Sequence, residues 1–241
     1  MTLRQEGYFL IVTSSEEDPE LEDSEIEQLL GRRLDALVIA SVRSTPKAYQ
    51  RITAQGIPYI LIDRKFPGDS GYFVGCDDTQ IGFLATEHLI KMGCKRIAHI
   101  RGPKNSTGNG RFKGYKKALT QHGMSFLEEY VVDGKAADVD GQQSGAAATT
   151  MLLKLRRKPD GIFCFNDPLA VGVLQMLLER KIRIPEEVAL IGCGNIHYDR
   201  LFSSPPFQYR STKPQYWQMG CAPGVGPDQV KGKRPNTAGS F

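Results

Sequence analysis

The chain has 241 residues with 40% apolar side chains, enough to bury a core in one large α/β domain or two smaller ones. No run approaches the roughly eighteen apolar residues of a membrane-spanning helix, and the amino-terminal residues carry no small-residue cleavage site of a secretion signal. The net charge of +4 comes entirely from the end of the chain, where Arg210, Lys213, Lys231, Lys233 and Arg234 face Asp228 alone, so the remainder is neutral and has no basic stripe for nucleic acid.

In chain order, short runs rich in Val, Ile, Leu and Phe alternate with amphipathic stretches. The runs are YFLIVTSS (8–15), LDALVIAS (34–41), PYILIDR (58–64), RIAHIRG (96–102), GIFCFND (161–167) and VALIGCG (188–194), with weaker ones at 72–77 and 129–134. Continuous apolar runs of this length predict strands buried on both faces. Between them, helices are predicted over DPELEDSEIEQLLGRR, TQIGFLATEHLIKMG, GRFKGYKKALTQHG, GQQSGAAATTMLLKLRR and PLAVGVLQMLLERK. Asp18–Pro19 is a helix start, an N-cap followed by a proline at the first helical position. Gly31, Gly93 and Gly123 stand where helices should stop. Strand–helix–strand order with short links predicts parallel, doubly wound sheets. After Ser204 neither period persists, and 201–241 reads as an irregular tail rich in Pro and Gly.

In open parallel sheets, ligands bind beyond the carboxyl ends of the strands. Those are the places where this chain turns polar: Thr13–Ser15, Ser41, Asp63–Arg64, the loop Lys104 to Gly110 closing on Arg111, Asn166–Asp167, and Gly192-Cys193-Gly194-Asn195. Carboxylates and guanidinium groups make paired hydrogen bonds to adjacent hydroxyls or ring nitrogens, so such a lining suits a polyhydroxylated or heterocyclic ligand. Each also has a plainer reading: Asp167 as a helix N-cap, Asn166 as a turn residue, Asp63–Arg64 as a solvated pair. Arg111, read as opening a helix, is poorly placed for the helix dipole, which favours a functional reason.

Catalytic constellations are scarce. Gly108-x-Gly110-x-x-x-Gly114 misses the dinucleotide fingerprint by one residue. Ser44-x-x-Lys47 is a four-residue match near chance. Cys76, Cys94, Cys164, Cys193 and Cys221 are odd in number and widely spaced, which reads as reduced and cytoplasmic, with no disulfide frame and no zinc site. His88 and His99 lie in apolar segments and read as packed side chains. The expectation is a protein without enzymatic activity, metal or cofactor.

The run VGCDDTQIGFLATEHLIKMGCKRIAHIRGPKNSTGNGRFKGYKKAL resembles the middle of lactose- and purine-repressor type (LacI/GalR) transcriptional regulators, with His-Leu-Ile-x-x-Gly, Arg-Ile-Ala, Gly-Pro, a polar loop and Arg-x-x-Gly-Tyr in that order. FCFNDPLAVGVLQMLLERKIRIPEEVALIGCGN and SSEEDPELEDSEIEQLLGRRLDALVIAS fit the same pattern, and the resemblance covers about residues 7–205. It implies a periplasmic-binding-protein-like α/β fold, with two doubly wound parallel-sheet subdomains around a hinge and a small effector, a sugar or nucleobase, in the cleft. It implies a cytoplasmic homodimer, with DNA bound by a head preceding this region and not by these residues. By position, Asp63, Arg111 and Asn166 resemble the family's ligand contacts, and Asn105 and Thr107 fall in the loop that purine-binding members use. The subdomains are expected at 1–77 and 78–200, the first without its initial strand and helix. Gly194 stands where the family commonly has an effector-binding aspartate. A solute-binding component of a transport system, built on a similar two-lobed fold, is the alternative, and a nucleotide-handling enzyme comes third.

Overall fold

A computed structural model describes residues 3–43, 49–66, 72–134 and 140–194. The tail at 201–241, Asn195 and the Ser44–Lys47 match lie outside the described residues. The chain divides into two compact units, one through Val74 and one from Gly75.

In the first unit, helix α1 (Pro19–Leu30) starts as the sequence predicts. Asp18 accepts hydrogen bonds from the amides of Glu20 and Leu21, and Pro19 opens the helix. Strands β1 (Leu37–Ile39), β2 (Tyr59–Ile62) and β3 (Tyr72–Val74) form a parallel sheet in that order. A short helix not foreseen in the sequence, α2 (Gln50–Ala54), joins β1 to β2. Ile26, Leu37, Ile39, Tyr49, Ile52, Leu61 and Phe66 make the core, so α1 and α2 cover the sheet face that carries Leu37, Ile39 and Leu61. Inside it the Glu22 carboxylate is buried but well supplied. It accepts from Ser41 Oγ at 2.7 Å, Val42 N at 2.8 Å and Tyr49 Oη at 2.6 Å.

The expected strand at 8–15 does not form. These residues take no regular secondary structure and are mostly exposed. A strand exists only where another backbone completes its hydrogen bonds, and among the described residues β1 pairs with β2 alone.

The second unit has a four-stranded parallel sheet in the order β5-β4-β6-β7, from β4 (Ile97–Arg101), β5 (Val131–Asp133), β6 (Gly161–Cys164) and β7 (Ala189–Ile191). Helices α3 (Asp78–Lys91) and α4 (Ser106–Gln121) contribute Ala85, Leu89, Tyr115 and Leu119 to one face. Helices α5 (Gly141–Leu152) and α6 (Asp167–Glu179) bring Ala148, Leu152, Leu169, Val173 and Leu177 to the other. The chain therefore leaves β4 toward one face and β6 toward the opposite one. That makes the carboxyl ends of these two neighbours a topological switch point, the usual ligand crevice of an open α/β sheet. Gly93 and Gly123 take positive φ after α3 and α4, as helix stops do, whereas Gly31 closes α1 in a right-handed conformation.

Candidate functional site

The polar ends of β4 and β6 are shaped by helix capping. Asn105, not Gly110, starts α4: its Oδ1 accepts from Gly108 N at 2.9 Å and from Thr107 Oγ1 at 2.7 Å. Most of the expected loop at 104–110 is thus the first turn of the helix, and Arg111 sits in its second turn instead of opening it. The capping carboxamide satisfies the Gly108 amide, one of those that a bare helix start leaves without a partner. Thr107 is buried beside it. At β6 the helix cap falls on Asn166, whereas the plainer sequence reading gave it to Asp167. Asn166 is the N-cap, its Oδ1 accepting from Leu169 N at 3.1 Å, and Asp167 is the buried carboxylate.

Arg111 reaches from α4 to two other places. Its Nε donates to Asp78 Oδ1 at 3.0 Å, its Nη1 donates to the carbonyl of Phe165, and its guanidinium lies 4.5 Å from the Phe165 ring centroid. The side chain is 15% exposed and that of Asp78 11%. One group thereby links the start of α3, the second turn of α4 and the junction of β6 with α6. A planar cation fixed on one edge and one face can present the rest of its fork in a set direction. Nearby, the Arg101 guanidinium lies 4.2 Å over the Phe112 ring and donates to Asn109 Oδ1 at 3.2 Å.

The loop after β7 closes over Asp167. A Cβ on Gly192 would stand 2.5 Å from Asp167 Oδ1, and one on Gly194 2.8 Å from Oδ2. Gly194 also has φ +152°, a conformation that side chains rarely adopt. Position 194 therefore has no room for the aspartate expected from the family pattern, because the Asp167 carboxylate already occupies that space. Between them, the Cys193 thiol is pushed up to about 12, chiefly by burial; Arg111 opposes the shift and Asp167 and Asp78 add to it. Cys94 and Cys164 are raised by burial as well. These thiols stay protonated near neutral pH, which suits packing and not nucleophilic chemistry. Among the described residues no group of three His, Cys, Asp or Glu could hold a metal ion, and no helix is long and apolar enough to cross a membrane.

The structure thus brings Arg111 and Asn166 together through the Phe165 junction, and joins Asn105 to Thr107. Asp63 belongs to the first unit. It ends β2 in a left-handed conformation, φ 63°, with its side chain 61% exposed and 3.5 Å from Arg64 Nε. Arg64 itself is held by a paired contact with Glu17, at 2.8 Å to each oxygen. Asp78, which braces Arg111, was not singled out in the sequence, and Asp167 was named there only among the polar strand ends, with a helix cap as its plainer reading. A usable signal lay in the doublets Asp77–Asp78 and Asn166–Asp167. The first member caps the helix, Asp77 accepting from Gln80 N and Asn166 from Leu169 N, and the second, Asp78 or Asp167, turns its carboxylate to contacts outside the cap.

Residues 86–214, more than half of the chain, match the model of the periplasmic binding protein-like domain. The chain is 28% identical over 202 residues to the HTH-type transcriptional repressor PurR of Actinobacillus pleuropneumoniae, covering 83% of this chain and 59% of that protein. It is 28% identical over 223 residues to the arabinose metabolism transcriptional repressor of Halalkalibacterium halodurans, covering 89% and 57%. A sugar-binding transcriptional regulator of the LacI family from Escherichia coli, solved in complex with phosphate, superposes with a TM-score of 0.70. It is 31% identical, and the match covers 82% of this chain and 70% of that one. The chain thus spans about 59% of the length of the PurR relative that it matches. With its parallel α/β units and the identities above, this chain belongs to the LacI family of transcriptional regulators, in the periplasmic-binding-protein-like part of such proteins.

Proposed function

We propose that this chain is the effector-sensing core of a LacI-type regulator and takes a small polar ligand, a sugar or nucleobase, at the carboxyl ends of β4 and β6. The observation that carries this reading is the braced Arg111 guanidinium at the switch point, held by Asp78 and by the ring and carbonyl of Phe165. Asn105, Thr107 and Asn166 frame the same edge, although their side chains already serve the starts of α4 and α6. Asp63 is the first unit's proposed contact, and its left-handed backbone is a strained feature of the kind found at ligand sites. The effector acts without chemical conversion, by favouring one of two conformations in a cytoplasmic homodimer. DNA reading is assigned to a head joined ahead of these units. The relatives matched are regulators, which supports a sensor over a transport component.

Calorimetry against a panel of sugars and nucleobases tests the reading. A lysine at 111 keeps the charge but loses the planar fork, so Arg111→Lys should weaken binding by about 1–3 kcal/mol, the scale of charged hydrogen bonds. Tight binding that is indifferent to Arg111→Lys would remove this site from consideration.

A further inference from the structure

Helix α4 carries Arg111, Lys113, Lys116 and Lys117 and no carboxylate. Lys113, Lys116 and Lys117 are exposed, and at about 1.5 Å per residue they lie within about 6 Å of one another along the axis. Beside them stands an aromatic cluster. One ring, Phe112, holds two cations, the Arg101 guanidinium at 4.2 Å and Lys116 Nζ at 4.5 Å from its centroid. Lys116 Nζ also lies 5.9 Å from the Phe126 ring, which meets Phe112 edge-on at 6.1 Å. Phe126 is 38% and Leu127 45% exposed. Elsewhere in this unit Lys91, Arg96, Arg111 and Arg183 each have a carboxylate. Arg101, Lys113, Lys116 and Lys117 form no ion pair among the described residues, although Asp133 stands beside Arg101 in the sheet register.

We propose that this face of α4, bordered by Phe126 and Leu127, docks an acidic segment of a partner protein that sets an apolar side chain among its carboxylates. Charge and border together select that occupant. Cations without a carboxylate of their own attract one, and the Phe112 ring, by orienting two of them, lowers the ordering cost of the contact. Basic clusters of this kind read acidic motifs. Carboxylates alone would leave Phe126 and Leu127 in water, so the partner's apolar side chain covers them. From Asn109 to Lys117 the face runs about 12 Å, the length of about four residues of extended peptide at roughly 3.3 Å each. Duplex DNA would call for a longer basic track, because its affinity comes from neutralising many phosphates. Lys113, Lys116 and Lys117 take no part in the proposed effector site, so the two readings stand separately.

Fluorescence anisotropy of the full chain tests the proposal, with the labelled peptide Asp-Glu-Asp-Phe-Asp-Glu as probe. The comparisons are the same peptide with Ser in place of Phe, a random-sequence DNA duplex, and the double variant Lys113→Glu/Lys116→Glu. Both lysines are exposed, so the double variant should retain the far-ultraviolet circular dichroism of the parent. The parent should bind the Phe peptide saturably and the Ser peptide more weakly, and the double variant should raise the Kd for the Phe peptide by about tenfold or more. A parent that shows no saturable binding overturns the proposal. So does binding that the double variant leaves unchanged, which would place the peptide elsewhere, as on the basic residues after Pro205. Equal binding of the two peptides overturns it too, because charge alone would then suffice. Tighter binding of the duplex, weakened in the double variant, would make the face a nucleic-acid surface instead.

Discussion

His99 lies at the centre of the second unit, fully buried in β4. Its ring stacks on Phe163 at 4.4 Å and Nδ1 lies 3.0 Å from the Phe163 carbonyl. Among the described residues its Nε2 has no hydrogen-bond partner. Burial, reinforced by Arg101 and Arg111, lowers its pKa to about 3 from the ordinary 6.5. The unfolded chain therefore takes up a proton near pH 6.5 that the folded one refuses until about 3. The stabilising contribution is complete above pH 6.5 and is lost progressively as pH falls toward 3. Denaturant unfolding at several pH values should show this decline, and His99→Phe, which removes the titrating group, should flatten it. An undiminished slope in the variant would assign the acid sensitivity to other groups. The Asp167–Gly194 contact is a second test at this scale. Gly194→Asp forces a side chain against a carboxylate and should cost about 1–3 kcal/mol, as overpacking does. Adding Asp167→Asn removes the like charge and should recover part of that loss. Strict additivity of the two changes would show that the groups do not meet.

At the level of elements, the apolar runs in the sequence located every strand of both sheets among the described residues and predicted one more, at 8–15, that does not form. Asp18–Pro19 and the glycines after α3 and α4 marked helix boundaries through local backbone chemistry. What sequence could not decide was whether a run with strand character finds a partner, because pairing depends on another segment's backbone. The site was half legible for a related reason. Arg111 stood out by its position, but its brace by Asp78 is a contact across 33 residues that no spacing rule encodes. Asn105 and Asn166 were visible as polar residues at strand ends, while their capping role depended on where α4 and α6 begin. Hydrogen exchange should separate the two kinds of strand. Amides at 8–15, which take no regular secondary structure, should exchange fast. Those of β6, 161–164, have partners on both sides and should be protected. Equal protection in both would mean that 8–15 is paired within its own molecule.

As a whole, the molecule has two α/β units of a LacI-family regulator, and the proposed ligand site lies in the second, where β4 and β6 end. The close packing of α3 on α4 supports that placement. A Cβ on Gly82 would meet the Arg111 carbonyl at 2.0 Å, and one on Gly114 the Thr79 carbonyl at 2.1 Å. Helices so closely joined keep Asp78 and Arg111 in fixed relation, the pre-organisation that a recognition site needs. The most direct measurement is a hydrogen-exchange footprint of the chain with the sugar or nucleobase that binds most tightly in calorimetry. Slowed exchange is expected at 102–111 and 165–169, with loss of that footprint in Arg111→Lys. Binding that leaves those segments unchanged and protects others, or no binding across both ligand classes, would contradict the proposed site.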